Sequence, residues 1–215
     1  MIDIFNELYS IYGNQNWWPA ETQFEVIVGA ILTQNTSWHN VAKAIDNLEK
    51  HGLLELSALV KAEPDTVKKL IYPVGFFNIK YERLKSVLEY LLTTDQARFY
   101  NAPVEDLRDE LLSINGIGPE TADSILLYAF RRPIFVVDAY TRRLFSRLGY
   151  NWMEKAYYDE IQKFFMERLP IDSGLYNEYH ALIVTHCKTI CKKNPLCIDC
   201  ALTCQIKFDE TKVER

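Results

Sequence analysis

Leu111-Leu112-Ser113-Ile114-Asn115-Gly116-Ile117-Gly118-Pro119-Glu120-Thr121-Ala122-Asp123 is the stretch on which this chain turns. Two segments with helical apolar spacing, at 105–114 and 120–130, meet there through a Gly-Ile-Gly turn. Two glycines let the backbone reverse sharply, while Ile117 between them is placed to plug the core. Pro119 stands where the first turn of a helix tolerates a missing N–H. The amides from 118 to 121 are expected to face outward at a helix start, an arrangement suited to a phosphate. Taken alone, a Gly-x-Gly between helices is as well explained by an ordinary helix–helix connection.

Working outward from that turn, the chain reads as all-α, with about ten helices by periodicity. Residues 24–32 are apolar on nearly all sides, as for a helix buried in a bundle. Val41, Ala44, Ile45 and Leu48 follow i, i+3, i+4, i+7 spacing, and the pattern recurs over 141–148, 157–169 and 175–185. Asp138 precedes one of these in an N-cap position. Residues 133–137, Pro-Ile-Phe-Val-Val, are β-branched and apolar but short and isolated, so an extended connector is expected.

The 215 residues are 48% hydrophobic and 25% charged, which suits one large domain or two small, intimately shared ones and argues against disorder. The longest apolar run, Val26 to Leu32, is seven residues; a bilayer span needs about 20. The first residues, MIDIFNELYS, lack a basic n-region, so no ordinary secretory signal is expected and the predicted location is cytoplasmic and nucleoid-associated. The net charge is −5, yet residues 128–155 hold six Lys/Arg against two Asp/Glu, a local +4 in an acidic chain. All five cysteines fall between Cys187 and Cys204. Crowding of that kind points to a metal rather than to a disulfide scaffold.

Together the motifs resemble the helix-hairpin-helix DNA glycosylase superfamily, the endonuclease III relatives. The hairpin from Leu112 to Ala122 resembles the family's L-P-G-(I/V)-G-x-x-T-A, and Val137-Asp138 resembles its V-D, whose aspartate is catalytic. Ile31-Leu32-Thr33-Gln34-Asn35-Thr36 resembles the early helix that inserts a glutamine into the duplex. Trp17-Trp18-Pro19, Leu32 to Thr36, Pro73-Val74-Gly75-Phe76-Phe77-Asn78 and the hairpin resemble the 3-methyladenine DNA glycosylase III branch more closely still. The resemblance implies a two-lobed fold. Residues 1–20 and 131–215 would form a lobe of terminal helices, with the cysteines at 187–204. Residues 21–130 would form a six-helix barrel lobe with the helix-hairpin-helix at about 107–130.

One departure from the family decides the expected reaction. Bifunctional members carry a hairpin lysine that attacks the sugar and cleaves the strand through a Schiff base; here that position is Glu120, with Pro119 beside it. A carboxylate forms no imine with C1′, and nothing in the sequence points to Lys43 as a substitute. What remains is Asp138, a carboxylate able to stabilise an oxocarbenium-like sugar and to orient or deprotonate water. Glu120 is also readable as a favourable charge in a helix's first turn. The implied activity is a monofunctional N-glycosylase with Asp138 catalytic and with Gln34, Gly116, Gly118, Glu120, Thr121 and Arg142 on DNA. A bifunctional lyase for oxidised pyrimidines and a non-catalytic DNA-binding module are the competing readings.

Cys191-x5-Cys197-x2-Cys200-x3-Cys204 resembles the family's iron-sulfur loop, whose gaps are usually six, two and five. The resemblance implies a 4Fe-4S cluster on Cys191, Cys197, Cys200 and Cys204. Structural zinc on four thiolates remains open, as does Cys187 in place of Cys191. Lys188, Lys192, Lys193 and Lys207 flank the loop and read as phosphate contacts. Trp17, Trp18 and Trp38 are expected to sandwich a flipped base, with packing the bland alternative for at least one of them. Ala30 stands where the adenine-mismatch branch has a glutamate. The expected partner is double-stranded DNA with a damaged base, bound by a monomer away from any membrane.

Overall fold

The structure, a computed structural model, describes residues 1–202; Cys204 and Lys207 lie outside the described residues. The regular structure of the described residues is all helical, with no strand among them. The helices are α1 (Ile2–Tyr12), α2 (Gln23–Leu32), α3 (Trp38–Lys50), α4 (Leu56–Leu59), α5 (Pro64–Leu70), α6 (Phe77–Thr93), α7 (Arg98–Asn101), α8 (Val104–Ser113), α9 (Pro119–Ser124), α10 (Ala139–Arg147), α11 (Tyr158–Met166) and α12 (Ser173–Thr189). No helix among the described residues is long and apolar enough to cross a membrane. The chain divides into two compact units, Trp18–Ile134 and Met1–Trp17 with Phe135–Arg215.

In the unit 18–134, α2 is the central element. Val26 to Leu32 are all buried, and α2 packs on α3, α6 and α9. Its N-terminus is capped by Thr22, whose hydroxyl accepts from the Glu25 N–H. α6 buries Leu84, Val87, Leu88 and Leu91, the i, i+3, i+4, i+7 stripe that the periodicity reading left unassigned. The expected single helix over 120–130 is instead α9 followed by a π-helical turn, Ile125–Ala129. Ile125 to Phe130 are buried without a break.

In the other unit, α10, α11 and α12 close on an aromatic core. Phe135 stacks on Phe165 at 4.2 Å, and Phe145, Tyr176 and Tyr179 meet that pair edge-on. Each such pair adds about 0.5–1.5 kcal/mol to simple burial. The connector 133–137 is neither helix nor strand, and side chains take over part of its hydrogen bonding. Gln162 Nε2 donates to the Phe135 carbonyl at 2.6 Å, and the Val137 N–H donates to the Tyr158 hydroxyl at 3.2 Å. A segment satisfied this way needs no strand partner.

Candidate active site

The hairpin is held by close packing on one glycine and open space at the other. Gly116 has φ +85, and a Cβ there would lie 2.4 Å from Arg83 Cγ, so both conformation and space require glycine. Ile117 is 5% exposed and fills the core as expected. Gly118 is extended at φ −96, and a Cβ on it would meet nothing within 4 Å. No side chain caps α9. Pro119 withdraws one of the four expected backbone donors, and Glu120 is exposed in the first turn.

Gln34 does not stand clear of the protein. Its Nε2 donates to the Gly116 carbonyl at 3.2 Å and to Thr121 Oγ1 at 3.0 Å, while its Oε1 accepts from Arg83. Thr121 is thereby turned inward and is 7% exposed. Arg83, which the sequence did not single out, is the strut between these parts. Behind the same loop, Lys80 is buried and donates to the Leu32 and Val74 carbonyls, both at 2.9 Å. Burial, with Arg83 nearby, draws its amine down to about 8. The turn that Lys80 anchors carries Phe76, which is 72% exposed in the left-handed region at φ +46. A hairpin carboxylate, Asp123, is fully buried and paired with Arg108 at 2.8 Å.

Trp18 and Trp38 do meet, with ring centroids 5.0 Å apart and nearly perpendicular. Tyr128, overlooked in the sequence, lies 5.0 Å from Trp18 on its other contact. The π-helical turn is what carries Tyr128. Gly29 of α2 faces the Trp18 ring, where a Cβ would come within 3.4 Å. Ala30, next to it, is buried in α2. Trp17 belongs to the other unit.

Asp138 is the N-cap of α10, as expected. Its Oδ1 accepts from the Thr141 N–H at 2.7 Å and from the Thr141 hydroxyl at 2.9 Å. Its Oδ2 lies 3.4 Å from His180 Nε2, and both side chains are almost wholly buried. Burial alone would raise this carboxyl, but His180 and the Thr141 donors outweigh it and hold the group below the ordinary carboxylate range. Nothing in the sequence flagged His180 beyond a histidine on the buried face of α12.

Residues 28–170 match the sequence model of the "HhH-GPD superfamily base excision DNA repair protein". The chain belongs to that superfamily. Among its similar proteins, a candidate DNA repair glycosylase of Methanocaldococcus jannaschii is 54% identical over 93% of this chain and 92% of that one. Endonuclease III of Thermotoga maritima is 30% identical over 86% and 83%. The crystal structure of a Helicobacter pylori 3-methyladenine DNA glycosylase bound to 1,N6-ethenoadenine superposes with a TM-score of 0.75. It is 31% identical and covers 86% of this chain and 96% of that one. The all-α reading and the superfamily resemblance thus hold.

Within this HhH-GPD protein, much of the basic density at 128–155 is turned onto the chain itself. Arg132 donates to the carbonyls of Phe99, Tyr100 and Ala102. Arg142 NH1 donates to the carbonyls of Met153 and Ala156 at 3.1 and 2.7 Å. Arg143 donates to the Cys187 and Cys191 carbonyls, and Arg147 to those of Lys192 and Lys193 and to Cys191 Sγ at 3.3 Å. The positive charge remains, but these guanidiniums first hold the cysteine loop and the neighbouring turns in shape.

Of the cysteines, Cys187 and Cys191 are buried and Cys197 and Cys200 half-buried. A hydrogen bond from Cys187 and the Arg147 guanidinium draw the Cys191 thiol down to about 6, while Cys187 is pushed up. Cys200 Sγ lies 3.7 Å from His186 Nε2. Among the described residues no three His, Cys, Asp or Glu side chains are gathered as a metal site. The side chains of Lys188, Lys192 and Lys193 are exposed.

Proposed function

We propose that this HhH-GPD protein is a monofunctional DNA glycosylase that hydrolyses the N-glycosidic bond of a damaged base flipped out of double-stranded DNA. The observation that carries the reaction class is Glu120, a carboxylate exposed in the first turn of α9 where a lyase needs an amine. Hydrolysis then falls to Asp138. Its Oδ1 is committed to the helix cap, leaving Oδ2 to face the electron-poor sugar carbon and to orient or deprotonate the attacking water. The hairpin binds the backbone through donors at Gly118, Glu120 and Thr121, with Gly116 shaping the turn and Arg142 adding positive charge. Phe76 is exposed and suited to part the stack as an aromatic wedge, whereas Gln34 refills the gap only after releasing its bonds to Gly116, Thr121 and Arg83.

The proposed substrate is an alkylated purine such as 3-methyladenine. Trp18, Trp38 and Tyr128 support this reading by forming an electron-rich cluster, and Trp17 is kept as a further base-stacking candidate. A cation over an indole gains about 0.5–2 kcal/mol that a neutral base does not. The similar 3-methyladenine DNA glycosylase bound to 1,N6-ethenoadenine supports a modified purine as the substrate class.

A 4Fe-4S cluster on Cys191, Cys197, Cys200 and Cys204 is part of this proposal. The donor set fits in its chemistry, with Arg147 donating to Cys191 Sγ, an arrangement that favours the thiolate there. A bound cluster supplies cross-links that tie the loop down. Arg143 and Arg147 orient the same loop, and Lys188, Lys192 and Lys193 carry its charge toward phosphates.

Borohydride trapping tests the reaction class. Incubation with lesion-bearing duplexes is expected to release base, give strand breaks only after alkali and leave no covalent protein–DNA adduct. Efficient trapping would replace the hydrolytic reading with the lyase. The purified protein is expected to hold about four irons per chain, as one cubane on four thiolates requires. Cys197→Ser is expected to bleach it and Cys187→Ser to leave its colour intact. A colourless protein with one zinc would refute the cluster.

A further inference from the structure

The two oxygens of Asp138 stand in unequal surroundings. Oδ1 takes both donors of Thr141, while Oδ2 has His180 Nε2 at 3.4 Å. His180 comes from the middle of α12 and is 6% exposed, among Tyr176, Tyr179, Leu182 and Ile183, all fully buried. An imidazole in such surroundings loses hydration that a leucine would not miss, so packing alone does not account for it. A carboxylate as dry as Asp138 takes up a proton unless donors or a positive charge oppose that.

We propose that His180 is the positioning residue of this enzyme, holding Asp138 Oδ2 as an anion and aimed at the sugar and the attacking water. This rests on the reading of Asp138 as the hydrolytic carboxylate. An Nε2–H opposite Oδ2 does for the free oxygen what Thr141 does for the capping one. The carboxylate is thereby gripped at both ends and cannot swing between its two roles. Among the described residues, α12 also brings Cys187 toward this corner, α11 brings Tyr158 and α10 brings Arg143. Tyr158 is occupied by the Val137 N–H, and Arg143 by the Cys187 and Cys191 carbonyls. The connector 133–137 contributes no ionisable side chain.

The test follows the Asp138 carboxyl by 13C NMR across an acid titration, in the full chain and in His180→Leu and His180→Gln. Leucine keeps the bulk without a donor; glutamine keeps a donor without the imidazole. The Asp138 midpoint is expected to rise in His180→Leu and to rise less in His180→Gln. Single-turnover base release is expected to slow about ten- to hundredfold in His180→Leu, with affinity for a duplex carrying an abasic analogue changed by no more than about twofold. Glutamine is expected to recover part of that rate. If leucine fails to fold, the glutamine variant alone decides through its midpoint. An unmoved midpoint, or equal losses in the two variants, overturns the role of His180. Base release that survives Asp138→Asn while the midpoint still depends on His180 would instead overturn the hydrolytic reading of Asp138.

Discussion

α9 and α10 start in opposite ways. α9 starts at Gly118 with no side chain over its first amides, with open space where a Cβ would stand and an exposed glutamate in its first turn. α10 starts at Asp138, which covers its own first turn through Thr141 and is buried in doing so. An uncapped helix start offers donors to whatever arrives from outside, an anion above all. A capped one has spent those donors and offers instead a carboxylate of fixed position and charge. The first arrangement suits binding, the second suits chemistry, and substitutions can separate the two.

The largest expected effect is at the capped start. Asp138→Asn keeps the shape and the acceptor to Thr141 but removes the charge. It is expected to lower single-turnover base release by about 10²–10⁴-fold while DNA affinity stays near that of the parent. A parallel loss of binding would mean that α10 serves as a binding element like α9.

The two hairpin glycines sharpen the contrast next. Gly116→Ala must place a methyl at Arg83 in a left-handed conformation, so a loss of about 1–3 kcal/mol in denaturant unfolding is expected, with weaker DNA binding as a consequence. Gly118→Ala has room within the protein and an ordinary backbone. It is expected to leave stability within about 0.5 kcal/mol and to reduce DNA affinity alone. A stability loss at Gly118 would show that the open space is not kept for a ligand.

The smallest effect concerns acid. The folded carboxyl of Asp138 lies below its unfolded value, so its stabilisation is complete above the ordinary carboxylate range and is lost as the pH falls through the folded value. Thr141→Val removes one of the opposing donors. It is expected to cost about 1 kcal/mol near neutral pH and to shrink the acid-dependent part of the unfolding free energy. An unchanged pH slope in this variant would show that Thr141 does not help to hold the charge.

The legibility of these parts differed by kind. The hairpin, the buried α2 and the Asp138 cap were visible because each rests on neighbouring residues: two glycines and a proline, an unbroken apolar run, an aspartate ahead of a periodic stretch. α6 is equally regular, with Leu84, Val87, Leu88 and Leu91 at i, i+3, i+4 and i+7. The break of the 120–130 helix into a π-turn was not legible, because an unbroken buried run is shared with α2, which is a regular helix. The arginines at 132, 142, 143 and 147 read as a basic patch, and their partners are carbonyls, which a sequence does not distinguish.

What the sequence determined by itself was everything set by local geometry and residue chemistry. That covers an all-helical chain, a glycine hairpin, a carboxylate at a helix start, a carboxylate in place of the hairpin amine, and a cluster of thiols. What only the tertiary structure decided was the company each of these keeps. Gln34 joins the hairpin across 82 residues, Arg143 reaches the cysteine loop across 48, and His180 arrives beside Asp138 from another helix. Such pairings depend on where burial brings distant segments together. Helical period and turn preference act over a few residues and carry no record of it.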